Sequence, residues 1–227
     1  GCAGVHSMLA HIAANLPRPR AVIVGEPTLM RVVNSHKGIR TFITDVTGLE
    51  AHSSNVHLGV NAIDVAVRLI NFLHQLRDAM QAKGDVSGRF DPPYTSIHVG
   101  VITGGTALNI LPRQCRFQWE IRPLPGQDTD DIVARFNDYA ARDVLPGLRA
   151  ITPLADIVTR PRSHVPPLEP LENSPAEQLL AAISGANAAL AVSYTTEAGL
   201  FQNSGIAAVV CGPGSIEQAH KPDEYVE

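Results

Sequence analysis

Between residues 35 and 160 the apolar pattern switches repeatedly between the periods of strand and helix, and no other feature constrains the fold as much. Residues 35–49 alternate through Ile39, Thr41, Ile43 and Asp45, the mark of a half-buried strand. From Asn61 to Met80, apolar Ile63, Val67, Ile70, Leu73 and Leu76 recur at three- and four-residue spacing, the mark of an amphipathic helix. A Gly/Asp/Pro-rich loop (84–93) precedes strands near 94–103 and 110–121, with Gly104-Gly105 between them as a hairpin signal. A second helix is expected near 128–143, opened by Gln127-Asp128-Thr129, and a strand near 149–158 closes the set. The order strand, helix, strand, strand, helix, strand is the split βαβ, or ferredoxin-like, arrangement.

This block interrupts a different pattern. Cys2 to Leu16 is Ala-rich enough for a buried helix stopped by Pro17 and Pro19, and the short strand Ala21–Val24 follows. The Pro-rich stretch 161–170 reads as a hinge, and residues 174–227 supply helix, strand, helix and strand. The expected division is 1–34, an inserted 35–160, and 161–227 returning to the first domain.

Two apolar strands end in potential ligands. Ala207–Cys211 runs into Gly212-Pro213-Gly214 and then His220, with Asp223 and Glu224 just beyond. Ala21–Val24 runs into Gly25-Glu26-Pro27-Thr28, where Pro27 keeps Glu26 out of a helix. Open α/β sheets bind ligands beyond the carboxyl ends of their strands. A carboxylate and an imidazole at neighbouring strand ends make a partial zinc site. On spacing alone, Glu26 reads equally as a turn acid and His220 as a surface histidine.

Composition narrows the classes. A hydrophobic fraction of 44% and a net charge of -4 suit an ordinary globular protein, and no basic stripe points to nucleic acid. No apolar run approaches the ~20 residues that span a membrane. Cys2, Cys115 and Cys211 are scattered and form no C-x-x-C pair, so neither disulfides nor a cysteine-built metal site is expected.

In chain order the sequence carries GEPT (25–28), HKG (36–38), AHSS (51–54), GVNAI (59–63), Asn109-Ile110-Leu111-Pro112, RPLPG (122–126), TEA (196–198) and GPGSIEQAHKPDEY (212–225). On these segments the chain resembles the M20 zinc amidohydrolases. The resemblance implies an α/β chain: part of a zinc-peptidase-like catalytic domain, interrupted by an inserted ferredoxin-like α+β lid and dimerisation domain. It implies Glu26 and His220 as metal ligands. It implies His52 as an oxyanion donor acting across a two-fold dimer, and Asn109 and Arg122 as holders of the substrate α-carboxylate. Glu197, after the apolar segment Leu190–Val192, reads either as the acid facing a substrate ammonium or equally as a support for a neighbouring ligand. Without the resemblance, His52 reads as a capping or surface histidine, Arg122 as the partner of Glu120 or another acid, and His36 and Lys37 as structural residues near the hinge.

The implied reaction is metal-assisted hydrolysis of acetylornithine to ornithine and acetate, with two zinc ions or possible cobalt replacements. The expected setting is a cytoplasmic homodimer joined through the lid, with no nucleic-acid or membrane partner. Related acylated substrates, such as succinyl-diaminopimelate, and a non-catalytic dimerisation fragment are the alternatives. The family's other metal ligands and its general base lie upstream of the Gly1-Cys2-Ala3-Gly4 segment, so the chain reads as part of a longer enzyme.

Overall fold

The structure is a computed structural model that describes residues 2–219 and 221–226. It has two four-stranded sheets. The first contains β1 (Val22–Val24), β2 (Val33–His36), β7 (Leu190–Val192) and β8 (Ala208–Val210), in the order β1-β8-β2-β7. β1 runs parallel to β8, with Val24 opposite Val210, so the two carboxyl ends emerge side by side. Both faces are covered, and the sequence shows why. Ala208 and Val210 pack with Phe201 and Val5, while Ala207, Val209 and Cys211 pack with Leu180 and Ala176. Those partners come from helices α1 (Ala3–Asn15), α5 (Pro175–Ser184) and α6 (Ala198–Asn203). A strand buried on both faces is a continuous apolar run, as 206–211 is.

The second sheet is antiparallel. It contains β3 (Ile39–Thr47), β4 (Ser96–Gly104), β5 (Gln114–Arg122) and β6 (Asp156–Val165), in the order β4-β5-β3-β6. Helices α2 (Ala62–Lys83) and α3 (Asp130–Tyr139) cover one face through Leu69, Leu73, Leu76 and Phe136, against Phe42, Phe117 and Trp119. Asn61 caps α2 by accepting the Ile63 and Asp64 N–H groups, which would otherwise lack partners. The edge strand β6 carries Arg160, Pro161 and Arg162, whereas β4 exposes Val101 and Ile102.

The element order agrees with the ferredoxin-like expectation, but several limits differ. The single strand expected at 35–49 is two strands in different sheets, divided at Lys37-Gly38. The second helix continues through a π-turn (Ala140–Val144) into α4 (Leu145–Arg149), because Pro146 sits in a first turn where no N–H is required. The last strand therefore starts at Asp156 rather than near 149 and extends through the first part of the Pro-rich stretch. On α2 the buried stripe is Val65, Ala66, Leu69, Leu73 and Leu76, and Val67 is exposed. Apolar residues lie on two faces of this helix, and spacing alone does not say which face the sheet takes.

The chain crosses between sheets at Lys37-Gly38 and at Pro166-Pro167. A side chain at Gly38 would stand 2.9 Å from the Pro167 ring and 2.9 Å from the Val165 carbonyl, so the two crossings touch.

Candidate functional site

Glu26 lies just beyond the end of β1, half-buried. Its loop interlocks with the loop after β8. Thr28 and Met30 donate their N–H groups to the Gly212 carbonyl at 3.1 and 2.9 Å, and Leu29 donates to Gly214 at 2.8 Å. The Gly212 N–H in turn donates to the Thr28 hydroxyl at 3.2 Å. Gly212 has no room for a side chain, since a Cβ would meet the Glu26 carbonyl at 2.6 Å. The GEPT and GPGS segments, far apart in sequence, thus form one rim. His220, expected on that rim, lies outside the described residues.

Other groups gather at the same strand ends. The Cys2 thiol donates to Glu197 Oε1 at 3.5 Å. Burial, and then the Glu197 carboxylate, push the Cys2 thiol above its ordinary pKa, with Glu26 adding to the effect. Burial and Glu26 likewise raise the Tyr194 phenol. Glu26, Glu197, Cys2 and Tyr194 therefore share one electrostatic environment. Tyr194 carried no sequence signal, because a lone aromatic in a loop has no periodic or motif context.

Among the described residues no group of three His, Cys, Asp or Glu side chains could hold a metal ion. The described donors alone do not complete a metal centre, and His220 lies outside them.

His52 lies in the second sheet's domain, at the loop that follows β3. Its Nδ1 accepts the Ser54 N–H at 3.2 Å and faces the Ser54 hydroxyl at 2.7 Å. An Nδ1 that accepts leaves Nε2 carrying the proton, so the exposed edge of this ring is a donor. The Asn109 loop lies directly beside it. Ser53 N–H donates to the Asn109 carbonyl at 3.0 Å, Leu111 N–H donates to Ala51 at 2.8 Å, and His52 bridges Ile110. A cavity of about 790 Å³ borders this loop pair, lined by Ser53, Asn61, Leu108 and Ile110 among others.

Arg122 lies at the opposite end of β5. Its Nε donates to Glu120 Oε1 at 2.7 Å, the structural pairing that the sequence left open. The nine residues of β5 separate Arg122 from the Asn109 loop, a span of roughly 30 Å at ~3.4 Å per residue. Within one chain, therefore, the structure brings His52 beside Asn109 but does not bring Asn109 beside Arg122.

Residues 34–147 match the peptidase dimerisation domain of the M20 family, half of the chain. The acetylornithine deacetylases of Salmonella arizonae and Salmonella enteritidis are each 36% identical to the chain over 215 residues, which is 92% of it and 53% of them. This chain belongs to the M20 family. It spans about half the length of the curated M20 relatives it matches. Solved structures agree on the fold. The M20 metallo-carboxypeptidase Sso-CP2 of Sulfolobus solfataricus superposes with a TM-score of 0.65 at 16% identity, covering 98% of this chain and 62% of that one. The aminopeptidase PepT of Bacillus cereus gives 0.64 at 18% identity, covering 93% and 54%. Strands β3, β4 and β5, with helices α2 and α3, lie within the matched dimerisation domain. No helix among the described residues is long and apolar enough to cross a membrane.

Proposed function

We propose that the protein to which this chain belongs is a metal-dependent amidohydrolase that cleaves acetylornithine to ornithine and acetate. The observation that carries this reading is the interlocked rim of the GEPT and GPGS loops. It holds the Glu26 carboxylate beside the segment leading to His220, at the carboxyl ends of two parallel strands. In this reading Glu26 and His220 would each give one ligand to a zinc centre completed by residues outside this chain, and the metal would polarise a water when bound. The 36% identity to acetylornithine deacetylases supports the substrate.

We assign residues 35–160 to the lid, and 1–34 and 161–227 to the catalytic half. The crossings at Lys37-Gly38 and Pro166-Pro167, close to those limits, support this division. The site is composite. The wide separation along β5 means that Asn109 and Arg122 meet one substrate only if two subunits contribute. Arg122, Glu197 and Glu26 would belong to one subunit, and His52 with Asn109 to the other. The Nε2–H of His52 would donate to the oxyanion of the tetrahedral intermediate, and the Arg122 guanidinium would take the substrate α-carboxylate through parallel hydrogen bonds. Glu197 would face the ornithine side-chain ammonium. The free Cys115 and Cys211 suit a reducing cytoplasm.

The test is turnover by the purified full-length protein on a panel of N-acylated amino acids, with and without a chelator. Chelator-sensitive release of acetate, fastest from acetylornithine, is the expected result. Preference for succinyl-diaminopimelate or another acyl group would move the chain to a sister activity. No turnover of any acylated amino acid by metal-loaded protein would leave a non-catalytic dimerisation module.

A further inference from the structure

Lys37 is a buried cation that no step above employs. It is 1% exposed, at the crossing between the two sheets. Its Nζ donates to the Pro92 carbonyl at 2.6 Å and to the Tyr94 carbonyl at 2.8 Å, with the Tyr94 ring 5.9 Å away. Those carbonyls immediately precede β4, where Ser96 pairs with Arg122. The next residue completes the grip, because Gly38 N–H donates to the Pro123 carbonyl at 2.9 Å. A third tie runs through Thr95, whose hydroxyl accepts the Leu124 N–H at 3.0 Å. The Arg122-Pro123-Leu124 segment is thereby fixed through the Lys37-Gly38 dipeptide and the strand it anchors.

The same dipeptide is seated firmly on the other sheet. Lys37 N–H donates to the Val192 carbonyl at 3.3 Å, and the Thr195 hydroxyl donates to the Lys37 carbonyl at 2.7 Å. Thr195 opens the Thr195-Thr196-Glu197 segment. Lys37 therefore spans the gap between the wall carrying Glu197 and the arm carrying Arg122. Burial pulls its pKa down; Asp91 and Asp85 favour the ammonium and the neighbouring Arg122 opposes it. The two carbonyl acceptors at its Nζ are what an apolar side chain of similar volume would leave without a donor.

We propose that Lys37 is a positioning residue for Arg122, holding the end of β4 so that the guanidinium stands at a fixed distance from the Glu26–Glu197 wall. Lys37 does not touch substrate. Its effect is read through Arg122, so the inference rests on the assignment of Arg122 to the substrate carboxylate.

The experiment compares an N-acetyl amino acid with its α-carboxamide, in full-length wild-type protein and in Lys37→Met. Wild type should prefer the carboxylate. In Lys37→Met the KM for the carboxylate substrate should rise about tenfold with kcat little changed, while the carboxamide is handled as before, so the preference collapses. Equal losses on both substrates, with the preference intact, would overturn the proposal and leave Lys37 a structural residue. If Lys37→Met fails to fold, Lys37→Arg carries the test, since it keeps the charge and displaces the donor. A reduced preference then supports positioning, and an unchanged preference overturns it. A wild-type protein that hydrolyses both substrates without preference would instead sink the Arg122 assignment, and this inference with it.

Discussion

Trp119 donates its indole N–H to the Thr44 hydroxyl at 3.0 Å, across neighbouring strands β5 and β3. Both residues are buried, 2% and 0% exposed, so water cannot replace either partner. Thr44 also faces the Thr159 hydroxyl of β6 at 3.0 Å. Thr44→Val keeps the shape and strands the indole N–H, which should cost about 1–3 kcal/mol. Trp119 is the single tryptophan of the chain, so its fluorescence reports this core directly. Urea titrations should show a lower midpoint at unchanged slope. An unchanged midpoint would mean that the hydroxyl contributes nothing to the fold.

His36 should make stability depend on pH. The ring is fully buried, its Nδ1 lies 2.9 Å from the Lys37 carbonyl, and its Nε2 has no hydrogen-bond partner among the described residues. Burial pulls its pKa from an ordinary 6.5 down to about 4. As pH falls, the unfolded chain takes the proton first. Stability is therefore complete above about 6.5 and is lost towards 4, by an amount on the order of 3 kcal/mol. The unfolding midpoint of wild type should drop through this window, and that of His36→Asn should drop less. Parallel pH curves for the two proteins would argue against it.

Much of the fold was legible in the sequence, and the exceptions have physical causes. Period-two alternation pointed to a strand at β3, but the face that the core takes is Phe42, Thr44 and Val46, opposite to Ile39, Thr41, Ile43 and Asp45, whereas Asn61 before an apolar helical repeat identified α2. The break at Lys37-Gly38 was hidden because a single Lys-Gly pair does not interrupt an apolar run. Only the close approach of Pro167 shows why the glycine is needed. The site was legible where a strand ended in a ligand-bearing turn, as at Glu26. The contact between the His52 and Asn109 loops was not, since it depends on pairing across more than fifty residues. The partnership of Cys2 with Glu197 was equally invisible, being a long-range contact between two loop ends.

Glu197 should act on substrate charge. In the full-length protein, Glu197→Gln should raise the KM for acetylornithine much more than for a neutral acylated amino acid. Removing a charged partner from a semi-buried pair is worth about 1.5–3 kcal/mol, roughly 10- to 150-fold. Equal effects on both substrates would reassign Glu197 to supporting Cys2.

His52 should act across the dimer. His52→Ala should lower kcat by about 10²–10³, the usual cost of one oxyanion donor. Glu26→Ala should be inactive for a separate reason, loss of a ligand. Dimers mixed from the two variants should regain activity that neither has alone, because one of their two sites combines an intact Glu26 with an intact His52. Mixed dimers as inactive as the parents would place both residues in the same subunit's site.

The edges of the dimerisation sheet bear on how large an assembly can grow. A sheet with two pairing-competent margins can add copies indefinitely and become a ribbon. At β6, Pro161 has no N–H to offer, and Arg160 and Arg162 flank it with like charge. Arg160 is also engaged with Asp45 inside its own sheet. Of the two edge strands described, β4, with Val101 and Ile102 exposed, is the one without a proline or flanking like charges. Two copies pairing there would close the assembly at two, and Pro161 would then serve as a chain terminator in the polymer sense.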